Sequence, residues 1–144
     1  MAKRIDFNTE DLESLTHSQL KRVADYWLRQ YLLSKADIRN GRIRCPIKGK
    51  WYPINKIQVC HYIDRAIMCL RYDLINCHLI SEESNVWDAR IQIEGYKSKH
   101  HKDYEEYLGE KNIKYLLEMS KNICIFAKED YISKIKFFKN GTSV

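Results

Sequence analysis

The stretch from Val59 to Asn85 constrains this chain more than any other. Ile54, Ile57 and Val59 lead into Cys60-His61-Tyr62-Ile63-Asp64-Arg65, which reads as a short strand running into a histidine. A second segment follows, from Cys69-Leu70-Arg71-Tyr72-Asp73 to Asn76-Cys77-His78. Asn76 falls in the next loop, and a further amide, Asn85, stands where a helix can begin. That order lets one strand carry an imidazole, a loop residue hold it, and a helix present another polar side chain to the same pocket. A single histidine is more often structural than catalytic, so His61 gains meaning only from its surroundings.

Those surroundings resemble the core of the NinG-type phage recombination proteins, a branch of the HNH nucleases with a ββα-metal centre. The family pattern runs roughly G-H-[FY]-x-x-R, a short spacer, x-R-[FW]-[DN], then N-x-H-x-x-C-x-x-C-N. His61, Tyr62, Arg65, Arg71, Tyr72, Asp73, Asn76, His78 and Asn85 match it in spacing, and Ser81 and Ser84 stand at its two cysteine positions. Asp103-Tyr-Glu-Glu-Tyr-Leu-Gly109 is similar to a later family segment, so the resemblance covers roughly Cys45 to Met119. It implies that His61 activates water as a general base and that Asn76 accepts the proton on the far ring nitrogen. It also implies that Asn85, with His61, helps hold a divalent ion, magnesium or manganese. Departures accompany the matches. Cys60 stands where many HNH proteins place an aspartate, and an amide is a poorer ligand than a carboxylate for a hard cation. The family's zinc knuckle keeps only Cys45, with Lys48, Ser81 and Ser84 at the other ligand positions. A structural zinc needs four N or S ligands, so that ion is expected to be absent. Cys60, Cys77 and His78 remain open as members of a rearranged site or as plain core residues.

Charge points the same way as the resemblance. The 144 residues carry a formal net charge of +6, which favours an acidic partner, DNA before an anionic membrane surface. No apolar run approaches the ~20 residues of a membrane span, and Met1-Ala-Lys-Arg-Ile-Asp6 lacks the apolar core of a secretory signal. The five cysteines, Cys45, Cys60, Cys69, Cys77 and Cys124, show no disulfide-scaffold spacing, which suits a reducing cytoplasm.

Along the chain, residues 1–15 read as a polar arm. Thr16-His-Ser-Gln19 has the form of a capping box, and Leu20, Val23, Ala24, Trp27, Leu28, Tyr31 and Leu32 behind it make one face of a helix over 16–35. Arg39-Asn40-Gly41-Arg42 is a tight turn, and Ile43 to Pro53 reads as a hairpin turning near Lys48-Gly49. Arg42, Arg44 and Lys48 on that hairpin, with Lys97 and Lys99 in a basic segment near Tyr96, are candidate phosphate contacts. Arg65 and Arg71 read equally as phosphate contacts or as ion-pair partners of Asp64 and Asp73. Helices are expected over 103–138, interrupted at Gly109, with Ile123-Cys-Ile-Phe126 as a buried run and a frayed tail from Lys136.

The expectation is one α+β domain: an N-terminal helix, a ββα-metal (HNH-like) core over 39–90, and C-terminal helices. The function implied is a cytoplasmic, phage-type DNA recombination protein or endonuclease acting on branched or single-stranded DNA. The alternative is a nuclease-derived module that binds DNA or a protein partner without cutting.

Overall fold

The computed structural model describes residues 4–82 and 99–142. Its architecture is α+β, and the chain resolves into two compact units, Met1–Lys35 with Ile125–Val144, and Ala36–Cys124.

In the first unit, α1 (His17–Lys35) packs against α5 (Lys128–Gly141). The capping box starts α1 as its residues dictate: the Thr16 amide donates to Gln19 Oε1 at 2.9 Å, and the Gln19 amide to Thr16 Oγ1 at 3.1 Å. Leu20, Val23, Ala24 and Leu28 recur at helical spacing and are buried, and Tyr131, Ile135 and Phe138 of α5 complete the core. Gly141 lets the helix end lie close to Tyr31, since a Cβ there would meet the ring at 2.6 Å and force it to shift. Two expectations change here. The N-terminal arm is anchored rather than merely polar: Leu12 is buried, Phe7 stacks on Tyr26, and the Trp27 indole N–H donates to the Phe7 carbonyl. The tail does not fray at Lys136, since burial of Phe138 carries α5 on to Gly141.

The second unit opens with a three-stranded antiparallel sheet: β1 (Ile38–Arg39), β2 (Arg42–Arg44) and β3 (Trp51–Pro53). Asn40 and Gly41 take positive φ, 51° and 72°, and so close the two-residue turn between β1 and β2. A 3-10 turn over Ile54–Lys56 then leads into β4 (Ile57–His61), which pairs antiparallel with β5 (Cys77–Ser81) in the register Cys60 to His78 and His61 to Cys77. Between the two strands lies α2 (Met68–Arg71). Helices α3 (Lys99–Leu108) and α4 (Glu110–Met119) are separated by Gly109 at φ 84°, as the sequence break suggests. The core gathers Cys45, Cys60, Leu70, Ile80, Tyr104, Leu108 and Leu116.

Two features depart from the sequence reading. Cys69 and Cys124 form a disulfide, while Cys45, Cys60 and Cys77 are buried free thiols. The run Ile123 to Phe126 is not a buried one, because Ile123 is 92% and Ile125 88% exposed. Cys124 between them is tied to Cys69, and both flanking isoleucines stand outward. Among the described residues no helix is long and apolar enough to cross a membrane.

Candidate nucleic-acid interface and the His61 loop

His61 is the last residue of β4 and is half-buried. Its Nε2 lies 2.8 Å from the backbone carbonyl of Arg71, which also accepts the Cys77 thiol at 3.2 Å. A carbonyl can only accept, so Nε2 carries the proton in the neutral ring and the lone pair is left on Nδ1. The tautomer is thus fixed by a main-chain atom.

Asn76 does a different job from the one the resemblance implies. Its side chain is fully buried; Oδ1 accepts the Ile63 amide at 2.7 Å, and Nδ2 donates to the carbonyls of Ile63 at 3.0 Å and Leu70 at 3.1 Å. Both amide hydrogens are thereby engaged, and the Asn76 carbonyl receives the Tyr62 amide at 3.1 Å. The residue clamps the loop between the two strands, and so shapes the carbonyl that holds His61 rather than touching the imidazole. The sequence signal for this role was the amide itself, since a buried backbone turn needs a side chain that both donates and accepts.

Arg71 is likewise turned inward. It is 7% exposed, and its Nη1 donates to the Arg65 carbonyl at 3.3 Å, with the guanidinium 5.8 Å from the Tyr72 ring centroid. A group placed so cannot reach a phosphate. Arg65 itself is exposed. The neighbouring carboxylates serve local turns: Asp64 accepts the Ala66 amide, and Asp73 accepts the Ile75 amide and the Tyr115 hydroxyl.

On the other face of the β4–β5 ribbon, His78 Nδ1 meets the Tyr104 hydroxyl at 2.6 Å. Burial lowers the His78 pKa to about 4, nearby His61 adds to the shift, and a hydrogen bond with the Ile75 backbone opposes it. Burial, followed by the Cys60 thiol, holds the Tyr104 hydroxyl well above its ordinary range. His78 is therefore a neutral acceptor for a phenol that stays protonated.

Cys45 lies in the core and Lys48 on an exposed turn, while Ser81 is buried at the end of β5. Among the described residues no group of three or more His, Cys, Asp or Glu side chains is arranged to hold a metal ion. Asn85, Ser84 and Lys97 lie outside the described residues, and Lys99 opens α3. Of the implied divalent-ion ligands only His61 is described, and the Arg71 carbonyl engages its Nε2.

Three arginines stand on the first sheet. In the register Arg39 to Arg42, Arg42 to Pro53 and Arg44 to Trp51, strand alternation puts the three arginines on one face with Trp51. Ile43 and Tyr52 point the other way, Ile43 buried and Tyr52 packed against the core cluster. Lys48 and Lys50 are exposed in the turn that joins β2 to β3. Arg44 Nε is steadied by the Gly49 carbonyl at 3.1 Å, and the Arg39 guanidinium lies 5.3 Å from the Trp51 ring centroid while pairing with Asp37 at 3.0 Å. Six cationic side chains fall between residues 36 and 56 against one carboxylate, Asp37.

No protein-family model, curated protein or solved structure matches the chain.

Proposed function

We propose that this chain binds DNA, laying the phosphate backbone across the outward face of β1–β2–β3. One observation carries the reading: Arg39, Arg42 and Arg44 share a solvent-facing sheet surface, with Lys48 and Lys50 in the adjoining turn. Cations arrayed along a rigid surface can neutralise successive phosphates, and the released counterions drive association. Arginine adds bidentate contacts to phosphate oxygens. Binding of labelled DNA should weaken steeply as salt rises. Arg42→Glu with Arg44→Glu should cost about tenfold or more in affinity and flatten the log–log salt slope by about 1.5, the loss of two phosphate contacts. A wild-type protein that binds no DNA at low salt would sink the reading, leaving the protein-partner alternative in its place.

A second reading adds hydrolysis of the phosphodiester. The observation favouring it is the His61 Nε2 bond to the Arg71 carbonyl, which fixes the ring by a main-chain atom with its basic lone pair on Nδ1. The antiparallel β4–β5 ribbon is of the kind a ββα centre is built on. Cleavage of a labelled four-way junction and of single-stranded DNA, with magnesium and with manganese, tests this reading apart from binding.

A further inference from the structure

The outward face of β1–β2–β3 contains a group that a phosphate track does not need. Trp51 lies among the arginines, opposite Arg44, and is 36% exposed. An indole facing outward in a basic surface costs solvation, and in β3 its neighbour Tyr52 already supplies the inward aromatic contact. Its ring is partnered by the Arg39 guanidinium, 5.3 Å from the centroid, and that side chain is itself about two-thirds exposed, with its other contact to the equally exposed Asp37. An exposed cation–π contact is weak, so Arg39 covers the indole without being bound tightly to it.

We infer that Trp51 is a base-stacking platform: an unpaired nucleobase lies on the indole, and Arg39 moves from the ring to the phosphate of that nucleotide. This inference rests on the DNA-binding reading and adds the base contact to it. The geometry supplies each part. Arg44 and Arg42 stand beside Trp51 on the same face to take the flanking phosphates, and the β2–β3 register holds the indole at a fixed height on a rigid strand. Stacking is open to every base, because each has a π face, whereas bases inside a duplex present only their edges. The site therefore distinguishes nucleotides with exposed base faces from those in a closed helix, without reading their sequence.

The test compares three probes of equal length and charge per strand: an oligothymidylate, an oligonucleotide of abasic sites, and a duplex. Wild-type protein should bind the oligothymidylate roughly five- to a hundredfold more tightly than the abasic chain. Trp51→Leu should remove that preference, leave abasic and duplex affinities within about twofold, and leave the salt slope unchanged, since no phosphate contact is lost. Trp51→Phe should restore most of the preference. The abasic comparison uses the wild-type chain and so stands even if Trp51→Leu folds poorly. Equal wild-type affinity for the oligothymidylate and the abasic chain would overturn the platform while leaving DNA binding intact. A preference that survives Trp51→Leu would overturn it too. Failure of all three probes to bind at low salt would remove the DNA-binding reading, and this inference with it.

Discussion

The Asn76 side chain bonds Ile63 and Leu70 at once, accepting from the amide of one and donating to the carbonyls of both at 3.0 and 3.1 Å. These contacts fix where the loop after β4 departs and where α2 ends. Arg71, the last residue of α2, carries the carbonyl that holds His61. The amide therefore acts on the imidazole at second hand, through the backbone.

Asn76→Ala should accordingly unfold more easily rather than merely misorient a ring. Three hydrogen bonds in a fully buried site are lost and backbone groups are left without partners, so destabilisation of about 3 kcal/mol is expected. Asn76→Asp should do comparable damage, because it places acceptors against the two carbonyls that now receive Nδ2. Denaturant unfolding of both variants checks this; stability within 0.5 kcal/mol of wild type, roughly the surface-mutation range, would show the clamp to be idle.

His78 makes stability depend on pH in a defined window. Its folded pKa is about 4 and its unfolded value near 6.5, so between them the unfolded chain binds the extra proton. Stability is then full above about pH 6.5 and falls as pH drops toward 4, by up to about 3 kcal/mol from this group. The physical event is protonation of Nδ1, which ends its role as acceptor for the Tyr104 hydroxyl. Unfolding free energies of wild type and His78→Gln at pH 7, 5 and 4 should converge as pH falls; parallel pH profiles would count against the assignment.

The disulfide gives a third expectation. Cys69 and Cys124 are separated by 55 positions, and closing a loop of that size removes about 4 kcal/mol of chain entropy from the unfolded state, with measured bonds usually delivering less. Cys124 is exposed, so a small dithiol can reach the bond and reduce it by exchange. Reductant, or Cys124→Ala, should lower the denaturation midpoint by an amount corresponding to about 2–4 kcal/mol. The two changes should not add. A midpoint insensitive to reductant, with free-thiol titration unchanged, would mean the bond is not formed in solution.

Local chemistry in this chain was legible from its sequence, and distant pairing was not. Thr16 and Gln19 meet because they stand three positions apart at the start of a helix, and Asn40-Gly41 turns because those two residues accept positive φ. The Cys69–Cys124 bond and the Asp73–Tyr115 hydrogen bond join residues far apart along the chain, and no spacing rule announces them. Ile123 and Ile125 show the cost of reading hydrophobicity alone, since both are apolar and both stand exposed beside a cross-linked cysteine. Trp51 was within reach: Arg42-x-Arg44 and Trp51-x-Pro53 alternate with period two, and a turn at Lys48-Gly49 already sets them opposite one another. The buried orientation of Arg71 was not, because it depends on how the loop closes over it.

His61→Ala separates the two functional readings. Its cost in stability should be small, about 1 kcal/mol, because the Cys77 thiol still donates to the Arg71 carbonyl when the imidazole is gone. DNA affinity should hold within about twofold, since the arginines of β1 and β2 belong to a different sheet and phosphate contacts there supply the binding. Cleavage is where the variant must differ. A general base works on water in the transition state, and its loss costs roughly a hundred- to ten-thousand-fold in rate. His61→Gln is the sharper companion, because its amide can still donate to the Arg71 carbonyl while offering no basic nitrogen. If His61 only holds the loop, Gln should restore whatever Ala loses. Under the hydrolytic reading Gln should be as dead as Ala while folding and binding like wild type. Wild-type protein that binds the junction and single strands tightly yet cuts neither, in magnesium or in manganese, would remove hydrolysis and leave the arginine face as the functional surface of the chain.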